Sequence, residues 1–367
     1  LKRVLVGMSG VDSAIAAYLL KQQYEVTAGF MKNYVSDSGN CTTYSDAEEA
    51  IKVSKFLIEI ISFDLQKEYN EKIIEYIYNG YQQGITPNPD VLCNSLIKFD
   101  VFLQKAIELF DYIATGHYAR IVKTPKRKNE KTKKQSLSRL SASFKLLRVD
   151  YTKDQSYFLA GLNQYQLSKS LFPLGEMKKS EVRTLAKKIG LPNAARKDSQ
   201  LCFIGNIPIK DFLLKRLSKK EGNIVDIKTI VGKHEGAYFF TIGQRHLNLP
   251  FKAYVIRTDV KENIVVVGEK EDKQLFEKTV NITRHWVGEA YKLPIKITAK
   301  IRYRQEPQNA TLVMSEELVK SENTKNKKKT LKAEPTIVFD EKQRAIAPGQ
   351  TIVAYKDECI GSGIIAS

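Results

Sequence analysis

The chain of 367 residues is 43% hydrophobic and 27% charged, enough apolar material for two or three folded domains rather than one. Lys and Arg number 59 against 41 Asp and Glu, a net charge of +18. Part of that excess sits in lysine-rich loops, but it favours a polyanionic partner, because each neutralised phosphate releases counterions. Anionic membrane is the competing partner; no long apolar run and no basic amphipathic anchor supports it. Cys41, Cys93, Cys202 and Cys359 are far apart and form no C-x-x-C pair, which argues against a zinc ribbon and against a secreted disulfide scaffold. No metal site is expected, and a reducing, cytoplasmic setting is. No signal peptide is expected either, since residues 4–7 already have the composition of a buried strand.

The first elements in chain order read as α/β. RVLVG (3–7) is an apolar run ending in Gly, and MSGVDS leads from it into a helical pattern with Ile15, Leu19 and Leu20 on one side. EVTAGFM (25–31) is the next predicted strand. Asp46 and Glu49 have the spacing of a capping box before AIKVSKFL. A strand follows at 58–64 and a helix at 66–79. GITPNPDVLCN (84–94) is expected to be a loop because of Pro87 and Pro89. A helix over 95–109 and a strand at 111–116 complete the alternation. The pattern predicts a doubly wound, mainly parallel sheet with ligands at the carboxyl ends of its strands.

The basic stretches 123–139 and 320–332 are expected to be solvated insertions. Beyond residue 205 the character changes. Residues 210–220 look helical, and from 224 short strands alternate with turns. In IKITAKIRYR (295–304), Ile295, Ile297, Ile301 and Tyr303 share a face, and the strands that follow predict a small antiparallel barrel or sandwich. The predicted divisions give domains at 1–203, 204–275 and 276–367.

Three segments carry chemistry. Ser9, Gly10, Asp12 and Ser13 lie in a strand-to-helix turn, whose N–H groups and positive helix end suit phosphate. The turn is neither a Walker loop nor G-x-G-x-x-G; it is similar to the S-G-G-x-D-S loop of enzymes that cleave ATP between its α and β phosphates. Taken alone, it is equally an ordinary turn with a Ser cap. TPNPDVLCN places Asp90 three residues from Cys93, ahead of a helix that could stabilise a thiolate. RKDSQLCFIG places Cys202 beside Arg196 and Lys197, whose charge favours the thiolate. Each cysteine taken singly reads better as a packed core residue. Two thiols converging on a nucleotide site would point to sulfur handling, one carrying a sulfane sulfur and the other completing an exchange.

GMSGVDS, FMKN, TPNPDVLCN, IKF, ATGHYAR, KDQSYFL, FPLGEMKKSEVR, KDSQLCFIG, FTIGQR and KIRYRQ stand in the order found in bacterial tRNA-specific 2-thiouridylases, and the chain resembles that family from residue 4 to its final strands. The resemblance implies a pyrophosphatase-loop nucleotide-binding domain, a small central domain and a C-terminal antiparallel β-barrel. It implies that Gly7, Met8, Ser9, Gly10, Val11, Asp12, Ser13, Met31 and Gly116 bind ATP. Asn88, Pro89 and Asp90 would meet the target base. Lys153, Asp154 and Gln155, with Arg302 and Tyr303, would contact tRNA. Cys93 would be the nucleophile, Cys202 the persulfide carrier, and Asp90 an acid/base.

The implied reaction moves AMP onto the C2 oxygen of the wobble uridine, with Mg²⁺ neutralising phosphate charge, and replaces that oxygen with sulfur. The sulfur would come from a persulfide donor, a cysteine desulfurase or a sulfur-relay protein. Two routes stay open for Cys93, attack on the persulfide or on C2, and a Cys93–Cys202 disulfide belongs to the first. The base would have to be flipped out of its loop. The chain departs from the family in one respect. The first loop has one glycine where the family has two, and the segments before Tyr24, Ile58, Asp111, Val149, Leu201 and Leu247 are each short by about one. Gly10 must then do alone what two glycines do. The alternatives are a ligase with the same loop acting on a small-molecule carbonyl, and a non-catalytic RNA-binding relative. Release of pyrophosphate that depends on tRNA separates them.

Overall fold

The computed structural model describes residues 1–34, 43–125, 142–149, 153–196, 207–227, 229–288, 291–314 and 334–366. They form two compact units. The first comprises 1–74, 89–207 and 357–359; the second comprises 75–88, 208–356 and 360–367.

In the first unit, β1 (Arg3–Gly7), β2 (Glu25–Lys32), β3 (Ile60–Asp64), β4 (Tyr112–Ala114) and β7 (Ser170–Leu171) form a parallel sheet in the order β3-β2-β1-β4-β7. Val4, Leu5 and Val6 are wholly buried, as a strand covered on both faces requires. The chain runs from β1 to β2 and β3 on one side, then returns to β4 and β7 on the other. The order therefore reverses between β1 and β4, where α/β sheets open a ligand crevice. The first helix, Val11–Leu20, packs Ala14, Ile15 and Ala17 against this sheet. Gly29 of β2 lies under the Phe102 ring; a Cβ there would come within 2.8 Å of it.

Two expectations are corrected here. The second helix begins at Thr43, so Asp46 and Glu49 lie within it rather than at its start, and Glu49 bonds to Asn193 and Arg196. The expected loop at 84–94 ends early: the chain is helical over 89–106, with a π stretch at Cys93–Val101. Pro89 starts that helix, where a missing N–H costs nothing. Cys93 therefore sits in the second turn, not ahead of the helix. The chain is also helical over 66–82, through a π turn at Asn70–Ile74. β5 (Arg120–Pro125) and β6 (Ala142–Leu147) pair antiparallel and flank the first basic stretch. That stretch beyond 125 lies outside the described residues, as do 320–332, Cys41 and Cys202.

In the second unit, β8 (Gly222–Asp226), β9 (Thr229–His234), β10 (Tyr254–Asp259) and β11 (Ile264–Gly268) form a sheet in the order β10-β11-β8-β9. The helix expected at 210–220 is shorter, Ile209–Leu213. The remaining strands are β12 (Phe276–Gly288), β13 (Ile295–Lys300), β14 (Gln308–Met314), β15 (Pro335–Arg344), β16 (Thr351–Tyr355) and β17 (Cys359–Ile365). They close into a barrel in the order β12-β15-β14-β13-β16-β17, which leaves no edge strand. Ile297, Ala299, Ile301, Leu312, Ile337 and Phe339 fill it, and β13 alternates inward and outward as its sequence implies. Arg302 and Tyr303 follow β13 in a turn closed by Gln305, whose N–H reaches the Arg302 carbonyl at 3.2 Å. Among the described residues, no helix is long and apolar enough to cross a membrane.

Phe339→Ala should destabilise the second unit by about 3–5 kcal/mol, because a fully buried ring leaves a cavity. Ile230→Ala, at a 61% exposed position, should change stability by less than about 0.5 kcal/mol. Urea midpoints at an unchanged m-value measure both.

Candidate functional site

The loop after β1 is organised by one hydroxyl. Ser13 Oγ accepts the N–H groups of Ser9 at 2.9 Å and Gly10 at 3.0 Å, and lies 2.9 Å from the Gly10 carbonyl. The first helix starts at Val11, so the N–H groups of its first turn have no intrahelical acceptor. Gly10 is extended (φ 169°), and a Cβ there would meet nothing within 4 Å. This backbone is open to a phosphate.

The segment after β4 closes the loop from the other side. A Cβ on Gly116 would stand 2.6 Å from both the Asp12 carbonyl carbon and the Ser13 nitrogen, so only glycine allows the two segments to touch. Asp12 is fixed by three bonds: Lys179 Nζ lies 2.7 Å from each carboxylate oxygen, and the Tyr118 hydroxyl donates to Oδ1 at 3.0 Å.

A cavity of about 220 Å³ opens over these loops. Of the residues expected at the nucleotide, Gly7, Ser9, Gly10, Val11, Asp12, Ser13, Met31 and Gly116 line it. Met8 does not; it is buried beneath the loop, its sulfur 3.4 Å from Ser13 Oγ. Asp90, Lys153 and Gln155 also line the cavity, so carboxylate, RNA-contact and phosphate-loop candidates share one space. Pro89 and Cys93 are not in its walls, and Cys93 is only 2% exposed. Asp154 accepts the Ser156 N–H at 3.1 Å and Oγ at 3.0 Å at the start of the helix Ser156–Leu159, and pairs with Arg148 Nε at 3.2 Å. Asn88, Arg302 and Tyr303 belong to the second unit.

The cavity also gathers residues the sequence did not single out, Asn94, Lys98, Thr115, His117, Phe158 and Arg183, together with Arg196, which the sequence places beside Cys202. Asn94 and Lys98 are four apart on one helix and bond at 2.9 Å, a spacing that places them on one face. Arg183 donates to the carbonyls of Ala194 (3.2 Å) and Arg196, and Arg196 pairs with Glu49. The walls thus carry Lys98, Lys153, Arg183 and Arg196 against Asp12 and Asp90, an excess of positive charge suited to a polyphosphate. His117 accepts from, or donates to, Thr115 Oγ1 at 2.8 Å and packs against the rings of Phe99 and Phe172, which also touch each other. Burial, aided by the Lys98 charge, holds its pKa well below the usual histidine value, so the imidazole is neutral near pH 7. Among the described residues no group of three or more His, Cys, Asp and Glu could hold a metal ion.

The chain matches three family descriptions end to end. These are the tRNA methyl transferase HUP domain over residues 2–206, the tRNA methyl transferase PRC-barrel domain over 210–269, and the aminomethyltransferase beta-barrel domain over 278–365. It is 39% identical to the tRNA-specific 2-thiouridylase MnmA of Christiangramia forsetii and 40% identical to that of Flavobacterium johnsoniae, in each case over 100% of both chains. It is also 40% identical to the MnmA of Bacillus thuringiensis strain Al Hakam, over 99% of this chain and 94% of that one. At that identity across its full length, the chain belongs to the tRNA-specific 2-thiouridylase family.

Proposed function

We propose that this chain replaces the C2 oxygen of the wobble uridine of tRNA with sulfur, using ATP to make that oxygen a leaving group. The observation that carries the reading is the cavity itself: an open phosphate-type loop, an excess of cations, and Asp90, all in one space. The Gly10 and Gly116 backbones fit a nucleotide, since the first leaves room for a phosphate and the second admits no side chain. Magnesium, which would neutralise phosphate charge, would take most of its ligands from the nucleotide and water, as this ion commonly does.

In this reading the uridine C2 oxygen attacks the α-phosphorus of ATP, forming a C2–O–P link and expelling pyrophosphate. The first-turn N–H groups at Val11–Ser13, with Lys98, Arg183 and Arg196, stabilise the charge that develops on the phosphates. The neutral His117, packed against two phenylalanines, supplies an uncharged wall. Asp90 lies at the helix start to take or return a proton at the base. Asn88, Pro89, Lys153, Gln155, Arg302 and Tyr303 contact the RNA, and Asp154 shapes the turn that presents Lys153 and Gln155.

Cys202 carries the persulfide. Cys93, buried and outside the cavity walls, is better suited to attack sulfur than a base. Its thiolate attacks the inner sulfur of the Cys202 persulfide, forming a Cys93–Cys202 disulfide and releasing hydrosulfide. Hydrosulfide then adds at C2, AMP leaves with the former C2 oxygen, and a thiol reductant reopens the disulfide. Such a cycle needs a reducing cytoplasm and an enzyme that charges Cys202 with sulfane sulfur. The first domain carries adenylation and thiolation, and the central domain and barrel serve RNA recognition.

Incubation of unmodified tRNA with the protein, ATP and a persulfide source should yield 2-thiouridine, AMP and pyrophosphate; pyrophosphate release without tRNA, or no thionucleoside at all, would contradict the reading. Cys202→Ser should abolish thiolation while tRNA-dependent pyrophosphate release continues. Gly116→Ala should weaken ATP binding by about tenfold or more, because its Cβ must displace the Asp12–Ser13 backbone. Lys153→Ala should weaken tRNA binding with little sequence bias and reduce the slope of log affinity against log salt by about 1, measured by filter binding.

A further inference from the structure

Tyr118 stands between the two parts of the cavity that must act together. It is fully buried, and its hydroxyl spans 106 residues of sequence to reach Asp12 Oδ1 at 3.0 Å. From the other side, Gln155 grips its main chain twice. The Tyr118 N–H donates to Gln155 Oε1 at 3.0 Å, and the Gln155 N–H donates to the Tyr118 carbonyl at 2.9 Å. Phenylalanine would fill the same space without a polar group to desolvate, so the hydroxyl is explained by its bond rather than by packing. That bond ends on a carboxylate in the first turn of the nucleotide-loop helix, one residue from the loop-organising Ser13.

The route is short and rigid. Gln155 is fixed at both its amide side chain and its own N–H, so a movement of the 153–155 turn cannot leave the Tyr118 backbone in place. Tyr118 lies two residues from Gly116, whose backbone already touches Asp12 and Ser13. Asp12 has one further anchor, Lys179, on the separate helix Lys179–Lys188.

We propose that Tyr118 is a positioning residue that couples RNA docking on the 153–155 turn to the shape of the nucleotide loop, acting through Asp12. The proposal rests on the reading of the cavity as the ATP site and of this turn as an RNA contact. Docked RNA favours the arrangement seen here, in which Gln155 fixes Tyr118 and the phenol holds Asp12 and the first helical turn in the conformation that receives the triphosphate. Because coupling is reciprocal, ATP tightens RNA to the same degree. The consequence is that ATP is held well only when there is a base to adenylate.

The test measures the dissociation constant of α,β-methylene-ATP, which cannot be cleaved at the reacting bond, with and without saturating unmodified tRNA. In the native protein the tRNA should tighten the analogue by about fivefold or more. In Tyr118→Phe that ratio should fall to within about twofold of one, while analogue and tRNA each still bind alone. Lys179→Met removes Asp12's other anchor and the cation 5.7 Å from the Tyr118 ring, but it leaves the hydrogen bonds from Gln155 to Tyr118 and from Tyr118 to Asp12, so it should weaken the analogue and keep the native ratio. A native ratio near one, a Tyr118→Phe ratio equal to the native one, or loss of the ratio in Lys179→Met as well would each overturn the proposal. Failure of the native protein to bind either partner alone would instead refute the underlying reading of the cavity.

Discussion

Gly116 touches the Asp12–Ser13 backbone so closely that no side chain fits between them, and the site is built outward from that contact. It joins the segment after β4 to the loop after β1, at the place where the strand order of the sheet reverses. The contact gives the phosphate loop a fixed wall, brings Tyr118 within reach of Asp12, and puts Thr115 and His117 into the cavity. Gly10 is extended, and the turn is held by the Ser13 hydroxyl rather than by a left-handed residue.

Charge then decides what the cavity can receive. Its cations are held by partners that leave them facing one space: Lys98 by Asn94, Arg183 by backbone carbonyls, Arg196 by Glu49. Such anchored cations would meet a polyanion without first losing much side-chain freedom. His117 adds no charge to them, since burial lowers its pKa.

Much of this was legible in the sequence. The run RVLVG, its turn and the following apolar spacing are local, so β1 and the first helix lie where they were expected. The glycines and serines of the loop could be named because their role is a backbone property. The helix over 89–106 was misread because Pro89 is ambiguous: proline ends a helix from within and begins one at its first position. The cap assigned to Asp46 and Glu49 failed for a tertiary reason, since Glu49 is held by Asn193 and Arg196, 144 and 147 residues away. Arg183 was missed for the same reason, since nothing local distinguishes it from other basic residues until the fold brings it to the cavity, and Arg196 was named only as a neighbour of Cys202. The left-handed turn before Leu247 is carried by His246 at φ 64°, at a place where the family pattern expects glycine.

The chemistry turns on whether the uridine oxygen itself is phosphorylated. Unmodified tRNA carrying ¹⁸O at C2 of the wobble uridine, thiolated with ATP and a persulfide source, settles this by mass spectrometry of the released AMP. The account predicts one heavy oxygen in the AMP phosphate for each 2-thiouridine formed. Thiolation with unlabelled AMP, the heavy oxygen appearing in water or in pyrophosphate, would contradict it.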